Sequence, residues 1–189
     1  MPLSRRRLAC LAVPALAGAC SSPEPALYTI QMRPGPVLQG GPRVVQLRDI
    51  GLPGYLDRRE IVRSAADYKL GVMANDWWGE QLSSMLSRVI ILGLSQRLPG
   101  SRIYPEGGAI SADPNAVLGV NIQRMDTGAS GALELIAQAA VEFNRPTHSA
   151  SRAFQITKVP PTNTVAGQVA ATSDAVAELT DGLAALLQT

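Results

Sequence analysis

Apolar residues return at three- and four-residue steps in two stretches of the chain. In the first, Trp78, Leu82, Met85, Leu86, Val89, Ile90 and Leu94 form one stripe, while Glu80, Gln81, Ser84, Ser87 and Arg88 fall on the other face. That spacing predicts a helix opened by Asn75 or Asp76, whose side chains accept from the free N–H groups of a first turn, and closed by Pro99 and Gly100. The apolar run widens over residues 89–92, so the second half of this helix is expected to be buried on more than one side. In the second stretch Val165, Val169, Ser173, Val176, Thr180, Leu183 and Leu187 make a stripe that predicts a helix over residues 164–187. A spacing near 3.5 residues also fits a coiled coil. The run is short and rich in small residues, which favours packing on a sheet.

Elsewhere the period is two. Val117, Gly119 and Asn121 alternate with Leu118, Val120 and Ile122, and Leu133, Leu135 and Ala137 alternate with Glu134, Ile136 and Gln138. The turn signals "GASG" and "NRPTH" separate these segments from each other and from "SASRAFQITKVP". They predict a three-stranded antiparallel meander over residues 116–159. The segment "GALELIAQAAVEFN" is also a good helix former on propensity, and its place between two turns favours strand. Shorter strands are expected at "LYTI", "RVVQLRDIGL", "EIVRS", "YKLGVM" and "SRIYPEG", with residues 31–42 a loop. The fold class that results is α+β, a mainly antiparallel sheet with two principal helices packed on one face.

The N-terminus is not part of that fold. Arg5, Arg6 and Arg7 precede an apolar run over residues 8–16, too short to span a bilayer. Ala17, Gly18 and Ala19 then lead into Cys20, a layout that resembles the bacterial lipobox, with Ala17 where leucine is usual. The resemblance implies cleavage before Cys20 and acylation of that residue with fatty acids such as palmitate. Ser21, in place of aspartate, implies sorting to the outer membrane, with the domain facing the periplasm. A soluble periplasmic product cut near Ala19 is the alternative. Residues 1–19 are thus read as a lipoprotein signal peptide, 20–42 as the lipidated N-terminus, tether and first short strand, and 43–189 as a single domain. Pro23 and Pro25 stiffen the tether.

Cleavage changes the charge. The whole chain carries 17 basic and 15 acidic residues, a formal net charge of +2. The signal takes three arginines and no acid, leaving 14 against 15, or −1, which argues against a nucleic-acid partner. Cys10 leaves with the signal and Cys20 would be acylated, so no thiol remains for a disulfide or a metal. The one histidine, His148, lies in "FNRPTHSAS" and is read as a loop residue rather than a base. No nucleophile elbow, phosphate loop or zinc-protease motif occurs. No enzyme activity, catalytic residue, metal or cofactor is expected.

One segment is left over. "LPGYLDRREIV", residues 52–62, sets two turn formers, a tyrosine and four charges where neither a buried strand nor a helix would have them. With "DWWGEQL", residues 76–82, it resembles the ABC-type transport auxiliary lipoproteins (PqiC- or YmbA-like). These carry a segment close to "LPxYLDRPQIV", then a short strand pair, then "RWAEPL" at a helix start. Leu52, Pro53, Tyr55, Leu56, Asp57, Arg58, Ile61 and Val62 match the first motif, and Trp78, Glu80 and Leu82 the second. Arg59 stands where that family has proline, Trp77 where it often has a basic residue, and Gly79 and Gln81 also depart. The resemblance implies a non-enzymatic lipoprotein that docks or anchors a mammalian-cell-entry (MCE) type lipid transport complex across the periplasm. Its implied partners are the membrane, through the lipid anchor, and an MCE-domain protein; a phospholipid ligand and homo-oligomer formation stay open. A carrier that holds acyl chains between helices and sheet is the alternative. Tyr55, Asp57, Arg58 and Trp77 are the candidate partner-binding residues. Leu52, Pro53, Leu56, Trp78, Glu80 and Leu82 are read as structural, and whether the first motif is a binding loop or holds the fold together stays open.

Overall fold

The computed structural model describes residues 24–66, 68–109 and 112–189; the signal peptide, Cys20 and Ser21 lie outside them. Along the chain stand β1 (Ala26–Tyr28), β2 (Val44–Leu47), β3 (Glu60–Ala66), β4 (Lys69–Trp78), α1 (Leu82–Arg97), β5 (Arg102–Pro105), β6 (Ala116–Thr127), β7 (Leu133–Asn144), β8 (Thr147–Lys158) and α2 (Val165–Leu186).

The meander forms as its alternation and turns require. β6 pairs antiparallel with β7, and β7 with β8. Leu133, Leu135, Ala137, Ala139, Val141 and Phe143 of β7 are buried, while Gln138, Ala140 and Glu142 point to the other side. With a neighbour on each edge, β7 satisfies its backbone through two ladders, which overrides the helix propensity of its Ala, Leu and Glu.

The other edge of β6 is shared, and the sheet forks there. β2 lies against its start (Val45 opposite Ala116, Leu47 opposite Leu118), and β3 meets its end at Thr127. β5 continues the first branch; β4 and then β1 continue the second. The eight-stranded sheet is therefore mixed, which corrects the expectation of a mainly antiparallel one. The pairs β1–β4, β2–β5, β2–β6 and β3–β6 are parallel; β3–β4, β6–β7 and β7–β8 are antiparallel. Hairpins leave turn residues in the sequence, whereas parallel partners need a crossover and sit far apart in the chain. Nothing local marks them.

Helix α1 starts later than its apolar stripe suggests. Asp76, Trp77 and Trp78 pair with β1, so β4 runs on through Asn75 and Asp76, which are strand residues and not helix caps. Gln81 occupies the N-cap position without a side-chain capping bond. Trp78 keeps its buried place, at 8% exposed, as the last residue of a strand. In α2 the Thr164 hydroxyl accepts from the Gly167 amide at 3.1 Å, a regular N-cap. The buried hydroxyls of Thr172, Ser173 and Thr180 each donate to the carbonyl four residues back.

Both helices share one core with the inner face of the sheet. Gly93 of α1 lies against Thr180 of α2, where an added Cβ would meet the threonine methyl at 3.0 Å. Near the α1 C-terminus the Arg97 guanidinium is 1% exposed and bonds four acceptors. It donates to Asp181 at 2.5 Å and to the carbonyls of Arg33, Gly93 and Ala177 at 3.1–3.2 Å. One cation thus ties the N-terminal loop to both helices, a buried charge stabilised by one carboxylate and three carbonyls.

Candidate functional site

The segment from β2 to β3 fills the fork in the sheet. It runs beside β6: the Arg48 amide donates to Leu118 O at 2.9 Å, the Gly51 amide to Val120 O at 3.0 Å, and the Ile122 amide to Gly51 O at 2.8 Å. Pro53 and Gly54 then reverse the chain, with the Leu56 amide on Pro53 O at 2.9 Å. The turn sends two neighbouring side chains to different places. Leu56 enters the core at 4% exposed, and the Tyr55 phenol donates to Oδ2 of Asp126 at 2.6 Å.

Asp126 is fully buried, and Arg124 donates to its other oxygen at 3.1 Å through both Nε and Nη2. Arg124 also bonds Glu134 across the β6–β7 ladder. Burial first, and then the bond to Asp126, hold the Tyr55 phenol well above its ordinary range. At Arg124, the bond to Asp126 is the main cause that raises its already high value.

Beyond Leu56 the chain surfaces, and here the two sequence motifs meet. The Trp78 amide donates to Arg59 O at 2.8 Å, and Glu60 lies opposite Trp77 in the β3–β4 ladder. Leu27 of β1 pairs with Trp77 from the other side. A shallow groove of about 540 Å³ results, lined by Leu27, Asp57, Arg58, Arg59, Trp77, Trp78, Gly79, Glu80 and Gln81. Its apolar part is Leu27, 67% exposed, beside the half-buried Trp77, whose indole N–H donates to Ala74 O at 2.9 Å. Its polar part is mostly committed. Arg58 bonds Glu60 at 3.2 Å, Glu80 accepts from Arg88 at 2.5 Å, and Gln81 reaches Asp57 at 3.5 Å. The Glu60 carboxyl is held low by its own backbone N–H first and by Arg58 second. Arg59 makes no ion pair among the described residues.

Of the candidate contacts, Asp57, Arg58 and Trp77 therefore line one groove, while Tyr55 is turned away from it and held by Asp126. Leu27 and Arg59 join the groove without having been singled out. Leu27 arrives through a parallel pairing that leaves no local signal, and Arg59 stands out only as a departure from a motif proline. Leu52 packs on the core, and Leu82 is buried in the first turn of α1. His148 is exposed, stacked on Phe143 with ring centroids 4.2 Å apart. Among the described residues no group of three His, Cys, Asp or Glu is placed to hold a metal, and no helix is long and apolar enough to cross a membrane. A larger hollow of about 670 Å³ lies over the outer face of β6–β8. Its floor includes Gly119, Ala140 and Ser151, and neither motif contributes a residue to it.

Two solved structures share this fold. One, described as an uncharacterized protein, has a TM-score of 0.72 at 16% identity and covers 86% of this chain and 98% of its own. The other, a Xanthomonas campestris protein of the DUF330 family, has a TM-score of 0.70 at 16% identity and covers 86% of this chain and 95% of its own. No curated relative matches this chain in sequence. Residues 28–184 match the family described as ABC-type transport auxiliary lipoprotein component, a span that holds both motifs, α1 and all but the last two residues of α2. The chain belongs to that family, which its two motifs resemble in sequence.

Proposed function

We propose that this protein is a non-enzymatic lipoprotein, anchored in the outer membrane through an acylated Cys20, that docks an MCE-domain lipid transporter. The groove around Trp77 is the docking surface. The observation that carries this reading is the meeting of "LPGYLDRR" and "DWWGEQ" at an apolar pair, the exposed Leu27 and the half-buried Trp77, rimmed by arginines. Tryptophan and arginine are favoured anchors of protein interfaces, and Arg59, which makes no ion pair among the described residues, can take a partner carboxylate.

The interior supports docking over carrying an acyl chain. Gly93 abuts Thr180, and Gly182 abuts Phe154, where an added Cβ would fall 2.3 Å from the ring. α1 meets α2 at the first point and α2 meets β8 at the second, so neither point has room for a hydrocarbon tail. Co-purification from membranes tests the reading: the MCE-domain protein is expected with the lipoprotein after detergent extraction. Recovery of stoichiometric phospholipid on the isolated domain, with no transporter component, would favour the carrier instead.

A further inference from the structure

The end of the sheet opposite the groove has its own exposed apolar set. Residues 67–68 join β3 to β4, and Tyr68 has φ 62°, the left-handed region. A bulky side chain is an outlier there, and two-residue hairpins select Gly, Asn or Asp for such positions. The Tyr68 ring is fully exposed, so it recovers nothing for this strain within the domain. Lys69 beside it is exposed, and Leu70 is 45% exposed. Asp67 lies outside the described residues. Val159 is 82% exposed at the same end of the sheet, one residue past Lys158, which pairs with Leu133, which in turn pairs with Thr127. Thr127 is the residue at which β3 joins β6. Two acids near this end are engaged, Glu134 by Arg124 and Glu178 by Lys158.

The direction of β1 says what faces this end. β1 runs parallel to β4, with Ala26 opposite Asp76, so the chain enters β1 from the side of Lys69 and Leu70. Cys20 stands six positions before Ala26, and Leu70 stands six before Asp76. Six residues reach at most about 20 Å. A membrane holding the acyl chains of Cys20 therefore lies within reach of the hairpin end, while the groove at Trp77 is the length of β4 away, roughly 30 Å.

We propose that Tyr68, Lys69 and Leu70 form a second membrane contact, seated in the phospholipid headgroup layer beside the acylated Cys20. It rests on the anchor reading above. The ring of tyrosine suits the interface between headgroups and hydrocarbon, and lysine is drawn to anionic headgroups. The contact fixes the orientation of the domain, which the acyl anchor alone leaves free. It turns the hairpin end to the bilayer and the groove to the aqueous space.

The test uses the full lipidated protein in vesicles of phosphatidylethanolamine and phosphatidylglycerol, with acyl chains brominated near the headgroup end. Tyr68→Trp puts a reporter on a fully exposed position, and Leu92→Trp, on α1 at 48% exposed, serves as reference. The wild-type signal of Trp77 and Trp78 is subtracted, and flotation with the vesicles reads the anchor separately. The expected result is flotation of all variants, with bromine quenching at least roughly twofold stronger at position 68 than at position 92. Flotation with equal quenching overturns the contact and leaves the anchor standing. Failure to float overturns the anchor and the contact together. A ring at position 68 that is shielded only after the transporter protein is added also overturns it, and marks a protein interface in its place.

Discussion

The Tyr55 phenol closes a 2.6 Å hydrogen bond on Asp126, a carboxylate with no exposed surface that is 71 positions away in the chain. The bond ties the turn of the first motif to the strand that every branch of the sheet shares. Tyr55→Phe keeps the ring and removes the donor, leaving Asp126 to Arg124 alone. The expected loss is about 1–3 kcal/mol by chemical denaturation. The same bond sets an alkaline limit. Because the folded-state pKa of Tyr55 is raised above its ordinary 10.0, the unfolded chain gives up this proton first. The contribution is complete below that value and is lost as pH rises toward the folded-state pKa. Stability above pH 10 should fall less steeply in Tyr55→Phe than in the wild type. Tyr28→Phe, at a bond to Asp76 in a far more exposed setting, should change the slope little. Equal slopes for wild type and Tyr55→Phe would show that the phenol titrates freely.

Trp77 and Trp78 are adjacent in β4, so they point to opposite faces of the sheet. Trp78→Ala should destabilise by about 3–5 kcal/mol, as expected for emptying a buried indole site. Trp77→Ala should cost much less. Thermal melts of the two variants check this, and similar small losses at both positions would place Trp78 outside the core.

Much of this fold is written in local pattern. The meander and the buried stripe of α2 follow from alternation, turn residues and helical spacing. The fork in the sheet does not, because the parallel partners Ala26 and Asp76, or Val45 and Ala116, share no neighbourhood in the chain. The same gap hid Leu27 from the groove. It also moved the start of α1: Trp78 sits in step with the helical stripe, yet β1 claims Asp76, Trp77 and Trp78 as strand partners. Tyr55 is the instructive residue of the site. Its type fits an interface anchor, and only the place of Asp126 reveals that its hydroxyl is already taken.

Arg97 should be among the least replaceable polar residues. Arg97→Ala leaves the carbonyls of Arg33, Gly93 and Ala177 without their donor and Asp181 without its cation. The expected loss is about 3–5 kcal/mol. Asp181→Asn should cost less, because Asp181 is 40% exposed and keeps an acceptor. Denaturation midpoints in the reverse order would mean that the guanidinium is not the tie between loop and helices.

Gly182 is a second point of intolerance. The Phe154 ring lies where its Cβ would be, so Gly182→Ala must move the ring or part α2 from β8. A loss of roughly 1–3 kcal/mol is expected, despite the better helix propensity of alanine. The paired change Gly182→Ala with Phe154→Leu should recover part of it, and a melt that rises on Gly182→Ala alone would show that the ring has room.

The anchor is tested by fractionation. Cys20→Ala should leave the protein out of the outer membrane, soluble or retained with its signal uncut, and Ser21→Asp should shift it toward the inner membrane. Outer-membrane recovery of Cys20→Ala at the wild-type mature mass would rule out acylation there.

The claim that the Trp77 groove docks an MCE-domain partner is tested most directly by affinity and melting measured on the same variants. Trp77→Ala, Arg58→Glu and Arg59→Glu all sit on the groove rim, where truncation exposes little new core. Each should weaken binding of the MCE-domain protein by about 2 kcal/mol, roughly thirtyfold in Kd, with melting temperature close to wild type. Tyr55→Phe, which acts behind the groove, should lower the melt and leave the affinity of the folded fraction intact. Wild-type affinity in all three groove variants, with folded domains, would contradict the assignment.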